Sequence, residues 1–143
     1  DRAAAVGASE TVDGSEVDVV ETIRELTDGG AAVSVDALGR AETARSSVRC
    51  LRSRGKHVQV GLTTDAERGE VSLPTDWMPR WEIDWLGSRG MPPARFGELL
   101  AMVDDGTLDP GALVGREVGL DDVSDRLAAM TTYDTDGIEI LTF

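Results

Sequence analysis

Three short apolar runs, each closing on a glycine-containing polar turn, restrict what this chain can fold into. They are Ala31-Ala-Val-Ser-Val-Asp-Ala-Leu-Gly39, His57-Val-Gln-Val-Gly61 and Ile83-Asp-Trp-Leu-Gly-Ser-Arg-Gly90. Helix-like stretches separate the first two and follow the third. Runs of this kind read as buried parallel strands, and their alternation with helices predicts an α/β fold through residue 90, with a mixed final third. Ligands of such sheets bind outside the carboxyl ends of the strands, where glycine lets a flat molecule approach the backbone closely. The three runs supply one side of such a crevice. The G-x-G-x-x-G turn expected on its other side does not occur in these residues.

A chain of 143 residues with 41% apolar content suits one globular domain. Its apolar runs fall far short of a membrane span. Cys50 is the single cysteine, which excludes a disulfide framework and a cysteine-based metal cluster. Asp and Glu total 27 against 14 basic residues, and the net charge of −13 argues against nucleic acid and anionic membrane as partners. The acids are scattered among well-formed apolar patterns, so the composition reads as folded, not disordered. Lys56 is the single lysine, and an acidic, lysine-poor surface predicts a halophilic protein of a salt-rich cytoplasm. The chain begins at Asp1 without a Met, and the expectation is that the natural protein extends upstream.

Spacing predicts a helix tail over residues 2–8, a short strand over 10–13, and a helix capped by Ser15 with Val19, Val20, Ile23 and Leu26 on one face. Gly29-Gly30 ends that helix. A strand over 31–37 follows, then a helix over 41–52 with Ala44, Val48 and Leu51 inward, and a strand over 56–62. A polar loop covers 63–70, an extended piece 71–73, and a helical turn 74–78. Trp81, Ile83 and Trp85 alternate on one face of a strand. A helix opens at Pro92-Pro93, with Phe96, Leu99, Leu100 and Val103 in line, and closes at Asp104-Asp-Gly106. A helix over 120–130 and a strand over 137–143 complete the chain.

The residues best suited to chemistry read more simply as structure. Cys50 beside an apolar helix face is expected as a buried, inert thiol. His57, opening a strand, is expected to face solvent, since no carboxylate or nucleophile has the spacing to partner it. Asp104-Asp105 and Asp121-Asp122 read as solvated or helix-end charges instead of a cation site. Trp77, Trp81 and Trp85 recur every four residues, but Pro79 interrupts a helix through them, so packing and subunit contact is the expectation.

The order of these pieces resembles the C-terminal part of the medium-chain (zinc-type) alcohol dehydrogenase family. The resemblance is carried by Val6-Gly-Ala8, Leu26-Thr-Asp-Gly-Gly30, Val35-Asp-Ala-Leu-Gly-Arg40, Val58-Gln-Val-Gly-Leu62, Leu86-Gly-Ser-Arg-Gly90, Asp104-Asp-Gly-Thr-Leu-Asp-Pro110 and Ile140-Leu-Thr-Phe143. It implies a partial doubly wound, Rossmann-like parallel sheet lacking its first two strands. It adds a C-terminal helix–strand segment that packs on a catalytic domain. Residues 1–89 are then the C-terminal portion of the dinucleotide-binding domain, and 90–143 the linking helix and returning segment.

The resemblance implies hydride transfer between an alcohol and NAD or NADP in a zinc-dependent enzyme, this chain being its cofactor-binding half and inactive alone. Leu38 and Arg40 match residues that flank the adenosine, and Arg2 matches a basic residue beside its ribose. Val60, Gly61 and Leu62 match the turn at the nicotinamide end, and Gly87, Ser88 and Arg89 the turn near the carboxamide. Where the family often places Arg or Lys against the pyrophosphate, this chain has Ile138. With one Cys and one His, neither family zinc site can be built from these residues, so zinc is expected upstream and no catalytic or metal residue is assigned here. Implied partners are a small alcohol, an N-terminal catalytic domain, and a second copy pairing along the 81–86 edge strand, in the cytoplasm. A zinc-free quinone or enoyl reductase of the same superfamily, and a non-catalytic dimerising remnant, are the alternatives.

Overall fold

The computed structural model describes residues 2–90, 92–132, 135 and 137–143. In chain order the elements are α1 (Arg2–Ala5), α2 (Val19–Leu26), β1 (Ala31–Asp36), α3 (Ala41–Arg49), β2 (Leu51–Gln59), α4 (Trp77–Arg80), β3 (Asp84–Gly87), α5 (Phe96–Asp104), β4 (Val114–Gly119), α6 (Val123–Thr131) and β5 (Ile138–Thr142). They divide into two compact units, Val12–Gly90 and Asp1–Thr11 with Met91–Phe143. No helix is long and apolar enough to cross a membrane among the described residues.

The Val12–Gly90 unit holds a parallel sheet in the order β1-β2-β3. Asp18 starts α2 by accepting from the Glu21 N–H at 3.0 Å, which satisfies one of the donors that a helix start leaves open. Helix α3 packs on β1 and β2 through Ala44 and Val48, both buried. Leu51 and Cys50, at the junction of α3 and β2, complete the core. Parallel strands joined by an intervening helix form the partial doubly wound arrangement the resemblance implied.

Several sequence expectations fail, each for a local reason. Residues 10–13 form no strand: the Asp13 carboxylate accepts from Ser15 N at 2.9 Å and Ser15 Oγ at 2.6 Å, a turn that competes with extended pairing. Ser15 is therefore spent there, and Asp18 caps α2 instead. Helix α3 stops at Arg49, and Leu51 already pairs with Ala31. The register then shifts, so that Val33 pairs with Lys56, and Arg52, Ser53, Arg54 and Gly55 make an irregular excursion. Strand β2 ends at Gln59, leaving Val60 to Leu62 in a turn.

Trp81 and Ile83 precede β3 instead of lying on it. The Trp81 ring stacks on Trp77 with centroids 5.7 Å apart, and the Arg24 guanidinium sits 5.7 Å from the Trp81 ring centre. Strand β1 is also less covered than a buried parallel strand: Val33 and Val35 are 55% and 58% exposed. Beyond β1 no strand pairs with it among the described residues, and a groove of about 600 Å³ runs along that edge, lined by Val19, Ile23, Val33, Val35 and Cys50.

In the second unit, β4 and β5 pair in parallel, Val118 opposite Leu141, with α6 between them in sequence. Residues 114–119 were not foreseen as a strand; Val-Gly-Arg-Glu-Val-Gly lacks a continuous apolar run. Arg126 of α6 grips the Glu139 carboxylate of β5, Nε 3.0 Å from both oxygens and Nη2 2.5 Å from Oε1. These hydrogen bonds hold the Glu139 carboxyl below the usual carboxylate range. The expectation of helix-end charges holds for Asp105, whose carboxylate accepts from Thr107 N at 2.9 Å after α5. No group of three or more potential metal ligands occurs among the described residues.

Candidate functional site

The three parallel strands end in register. Asp36 lies opposite Gln59, and Gln59 opposite Gly87, so the turns 38–40, 60–62 and 87–89 emerge side by side at one edge of the sheet. Backbone hydrogen bonds tie them together. The Asp36 carbonyl accepts from Val60 N at 2.9 Å and Gly61 N at 2.8 Å, and the Gln59 carbonyl accepts from Ser88 N at 2.9 Å.

Two glycines allow the first two turns to meet. Gly39 has φ +88°, and a Cβ there would run into the Leu62 carbonyl. A Cβ on Gly61 would lie 2.7 Å from the Leu38 carbonyl carbon and 2.8 Å from that of Ala37. Backbone lies directly on backbone here, and any other residue at either position forces the turns apart.

Side chains reinforce the same junction. Asp36 is buried, and its Oδ1 accepts from Leu38 N at 3.0 Å, Gly39 N at 3.2 Å and Thr43 Oγ1 at 3.1 Å. Its Oδ2 accepts from Gln59 Nε2 at 2.8 Å, and the same amide nitrogen donates to the Gly61 carbonyl at 2.9 Å. Burial raises the Asp36 pKa, but the hydrogen bonds from Gln59, Gly39, Leu38 and Thr43 outweigh it and hold the carboxyl below its ordinary value. The loop after β2 adds a brace: Glu67 Oε1 accepts from Ala41 N at 3.1 Å at the start of α3, while its other oxygen accepts from Thr64 Oγ1.

His57 is fully buried, which corrects the expectation of a solvent-facing strand start. It sits in the central strand, with Ser34 and Trp85 at the matching positions of its neighbours. Its Nδ1 lies 3.2 Å from Ser34 Oγ, its Nε2 3.0 Å from Gln59 Oε1, and its ring centre 4.2 Å from that of Trp85. Cys50 is buried as expected: its Sγ donates to the Ser47 carbonyl at 3.2 Å, and burial pushes the thiol pKa up. Neither residue is disposed to hold zinc.

Of the residues singled out from the sequence, eight gather at the strand ends: Leu38, Arg40, Val60, Gly61, Leu62, Gly87, Ser88 and Arg89. Leu62 is 87% exposed, and Leu38, Val60, Arg40 and Arg89 are exposed too, an apolar rim with two cations open to a ligand. Arg2 belongs to the other unit, where its Nη1 donates to the carbonyls of Ala112 at 3.3 Å and Val114 at 3.5 Å. Sequence reasoning missed Asp36, Gln59, Thr43 and His57 as the support beneath the rim. The available signal was polarity at the end of an apolar run, in Val-Asp-Ala-Leu-Gly and Val-Gln-Val-Gly.

A sheet of this topology with its glycine turns at the strand ends is the architecture of a dinucleotide-binding domain. The profile of the zinc-binding dehydrogenase family matches residues 1–105, and the chain belongs to that family. It is 32% identical over 117 residues to a sorbitol dehydrogenase of Halalkalibacterium halodurans, covering 81% of this chain and 33% of that protein. It is 27% identical over 116 residues to a D-arabitol-phosphate dehydrogenase of Enterococcus avium, covering 80% and 32%. Among solved structures it resembles an NAD-dependent alcohol dehydrogenase (TM-score 0.85, 26% identity, 99% of this chain and 40% of that one). The alcohol dehydrogenase of the archaeon Aeropyrum pernix is similar as well (TM-score 0.81, 26% identity, 99% and 39%). The chain spans about a third of the length of the curated relatives it matches.

Proposed function

We propose that this chain is the nicotinamide-dinucleotide-binding part of a larger alcohol or polyol dehydrogenase. The observation that carries the reading is the alignment of three exposed strand-end turns over one sheet edge, with Gly39 and Gly61 holding the first two in backbone contact. A flat, extended ligand fits such an edge, since glycine permits close approach and the rim is apolar. Leu38 and Arg40 hold the adenosine side. Val60, Gly61 and Leu62 face the nicotinamide end, and Gly87, Ser88 and Arg89 the carboxamide. Arg2 joins the ribose side through the family resemblance alone. When bound, NAD or NADP supplies the hydride acceptor or donor.

Zinc does not fit these residues. Both His57 nitrogens are engaged, the Cys50 thiol is buried, and no cluster of potential ligands stands near either among the described residues. Any zinc the complete enzyme uses is expected to be bound outside the described residues. The open edge of β1, with its apolar groove, is suited to receive the further strands of a dinucleotide domain, including its phosphate turn. The second unit buries Val118 but exposes Leu100, Leu127, Met130 and Ile140, which suits packing on a catalytic domain. The outer edge of β3 is a place for a second copy to extend the sheet. An acidic surface suits a halophilic cytoplasmic enzyme.

The test is turnover of the full-length gene product, metal-loaded and in concentrated salt, on a panel of alcohols and polyols with NAD+ and NADP+. Growth of reduced-nicotinamide absorbance is expected with at least one pair. Absence of any such signal, with folded protein, overturns the reading.

A further inference from the structure

Beneath the rim runs a chain of polar groups with a fixed direction, Asp36 and His57 buried, Gln59 and Ser34 half-buried. Asp36 is ionised, with its pKa held low, and a carboxylate only accepts hydrogen bonds. Gln59 must therefore turn its NH2 toward Asp36 Oδ2, and the Gly61 carbonyl, also an acceptor, demands the same orientation. That leaves Gln59 Oε1 facing His57 Nε2 at 3.0 Å, so Nε2 carries a proton and donates. An imidazole with its one proton on Nε2 accepts at Nδ1, where the Ser34 hydroxyl, 3.2 Å away, is the donor. Each link of the chain is within hydrogen-bond distance, from 2.8 to 3.2 Å, and each fixes the role of the next.

Gln59 is the pivot. Its side chain joins the turn after β1, through Asp36, to its own turn, through Gly61, while its backbone carbonyl holds Ser88 in the third. His57 clamps the amide from behind, wedged between Ser34 and Trp85. We propose that Asp36, Gln59, His57 and Ser34 act as a positioning relay, in which Gln59 sets the separation of the cofactor turns and His57, held as the Nε2–H tautomer, fixes the Gln59 amide. None of the four is a catalytic residue; each acts through the turns. The proposal rests on the cofactor-binding reading above and adds to it the residues that hold the site in shape.

The test uses the full-length gene product. Nitrogen-15 and carbon-13 NMR of His57, assigned through its backbone correlations, is expected to show the Nε2–H tautomer. The Nδ1–H tautomer overturns the relay, and this readout needs no substitution. Gln59→Leu is expected to raise the KM for the nicotinamide dinucleotide about tenfold, the effect of losing one charge-assisted hydrogen bond, while kcat at saturation falls less than about twofold. An unchanged KM in the folded variant overturns it too. Failure of the unsubstituted enzyme to bind NAD+ or NADP+, with the tautomer as expected, sinks the cofactor reading instead and leaves the direction of the relay standing.

Discussion

Asp36 Oδ2 accepts from Gln59 Nε2 at 2.8 Å, and this bond fastens the turn after β1 to the turn after β2. The two residues are direct register partners across parallel strands. Their pairing explains how a carboxylate can be buried in the sheet: it serves four donors from three elements of the unit, β2, α3 and the turn between β1 and α3.

Asp36→Ala should therefore cost more than a surface acid would. The substitution leaves Leu38 N, Gly39 N and one hydrogen of the Gln59 amide without their acceptor, while Thr43 Oγ1 keeps the Arg40 carbonyl at 3.0 Å. A loss of about 3 kcal/mol is expected in urea unfolding, since buried donors left unpaired cost ~1–3 kcal/mol each and relaxation recovers part of the sum. A loss under about 0.5 kcal/mol would mean that the network contributes nothing.

Glycine substitutions should separate close contact from backbone strain. Gly39 and Gly69 both have left-handed φ, +88° and +87°, but a Cβ at Gly69 meets open space while one at Gly39 strikes the Leu62 carbonyl. Gly69→Ala is expected to cost about 1 kcal/mol with cofactor affinity unchanged. Gly39→Ala and Gly61→Ala should cost about 2–3 kcal/mol and weaken NAD(P) binding, read by fluorescence titration. Equal effects at 39 and 69 would remove the case for turn-on-turn contact.

Acid should loosen both units. Asp36 and Glu139 have folded-state pKa values below their unfolded ones, so their contribution is present above the unfolded pKa of about 4 and is lost as pH falls through the folded value. Glu139→Gln should lower the thermal midpoint at pH 7, and the gap to the unsubstituted protein should close between pH ~4 and ~2. A gap that stays constant over that range counts against the Arg126–Glu139 pairing as its source.

Salt should stabilise the protein. A net charge of −13 repels itself in the compact state, and counter-ions relieve that repulsion. The unfolding midpoint is expected to rise steadily between about 0.1 M and about 2 M KCl, where the screening length falls below ~3 Å. A midpoint that falls over this range would contradict adaptation to salt.

Core burial gives a reference for these effects. Leu51 has no exposed surface and joins α3 to the sheet, so Leu51→Ala should cost about 2–4 kcal/mol. Circular dichroism melts would show it as a large drop in midpoint, with no selective change in cofactor affinity beyond the lost stability.

Much of this was legible along the chain. Apolar runs closing on glycine turns announced parallel strands, and the pieces Val35-Asp-Ala-Leu-Gly-Arg40 and Val58-Gln-Val-Gly-Leu62 carried the family resemblance. Strand limits were less legible where helical spacing ran on: Leu51 and Arg52 look like the end of a helix, yet they lie in β2, at the start of its irregular stretch. Val114–Gly119 stayed hidden because a strand with Arg and Glu at its centre depends on a partner, here β5.

The sequence by itself determined the class of the sheet, the turns at its strand ends and the scarcity of zinc-binding side chains, one Cys and one His. Local spacing, glycine and residue counts suffice for those. Only the tertiary structure decided that His57 points inward, that Asp36 meets Gln59, and that Gly39 lies on Gly61. Cross-strand partners are fixed by register and by what packs on each face, and no segment of a chain carries its neighbour's register within itself.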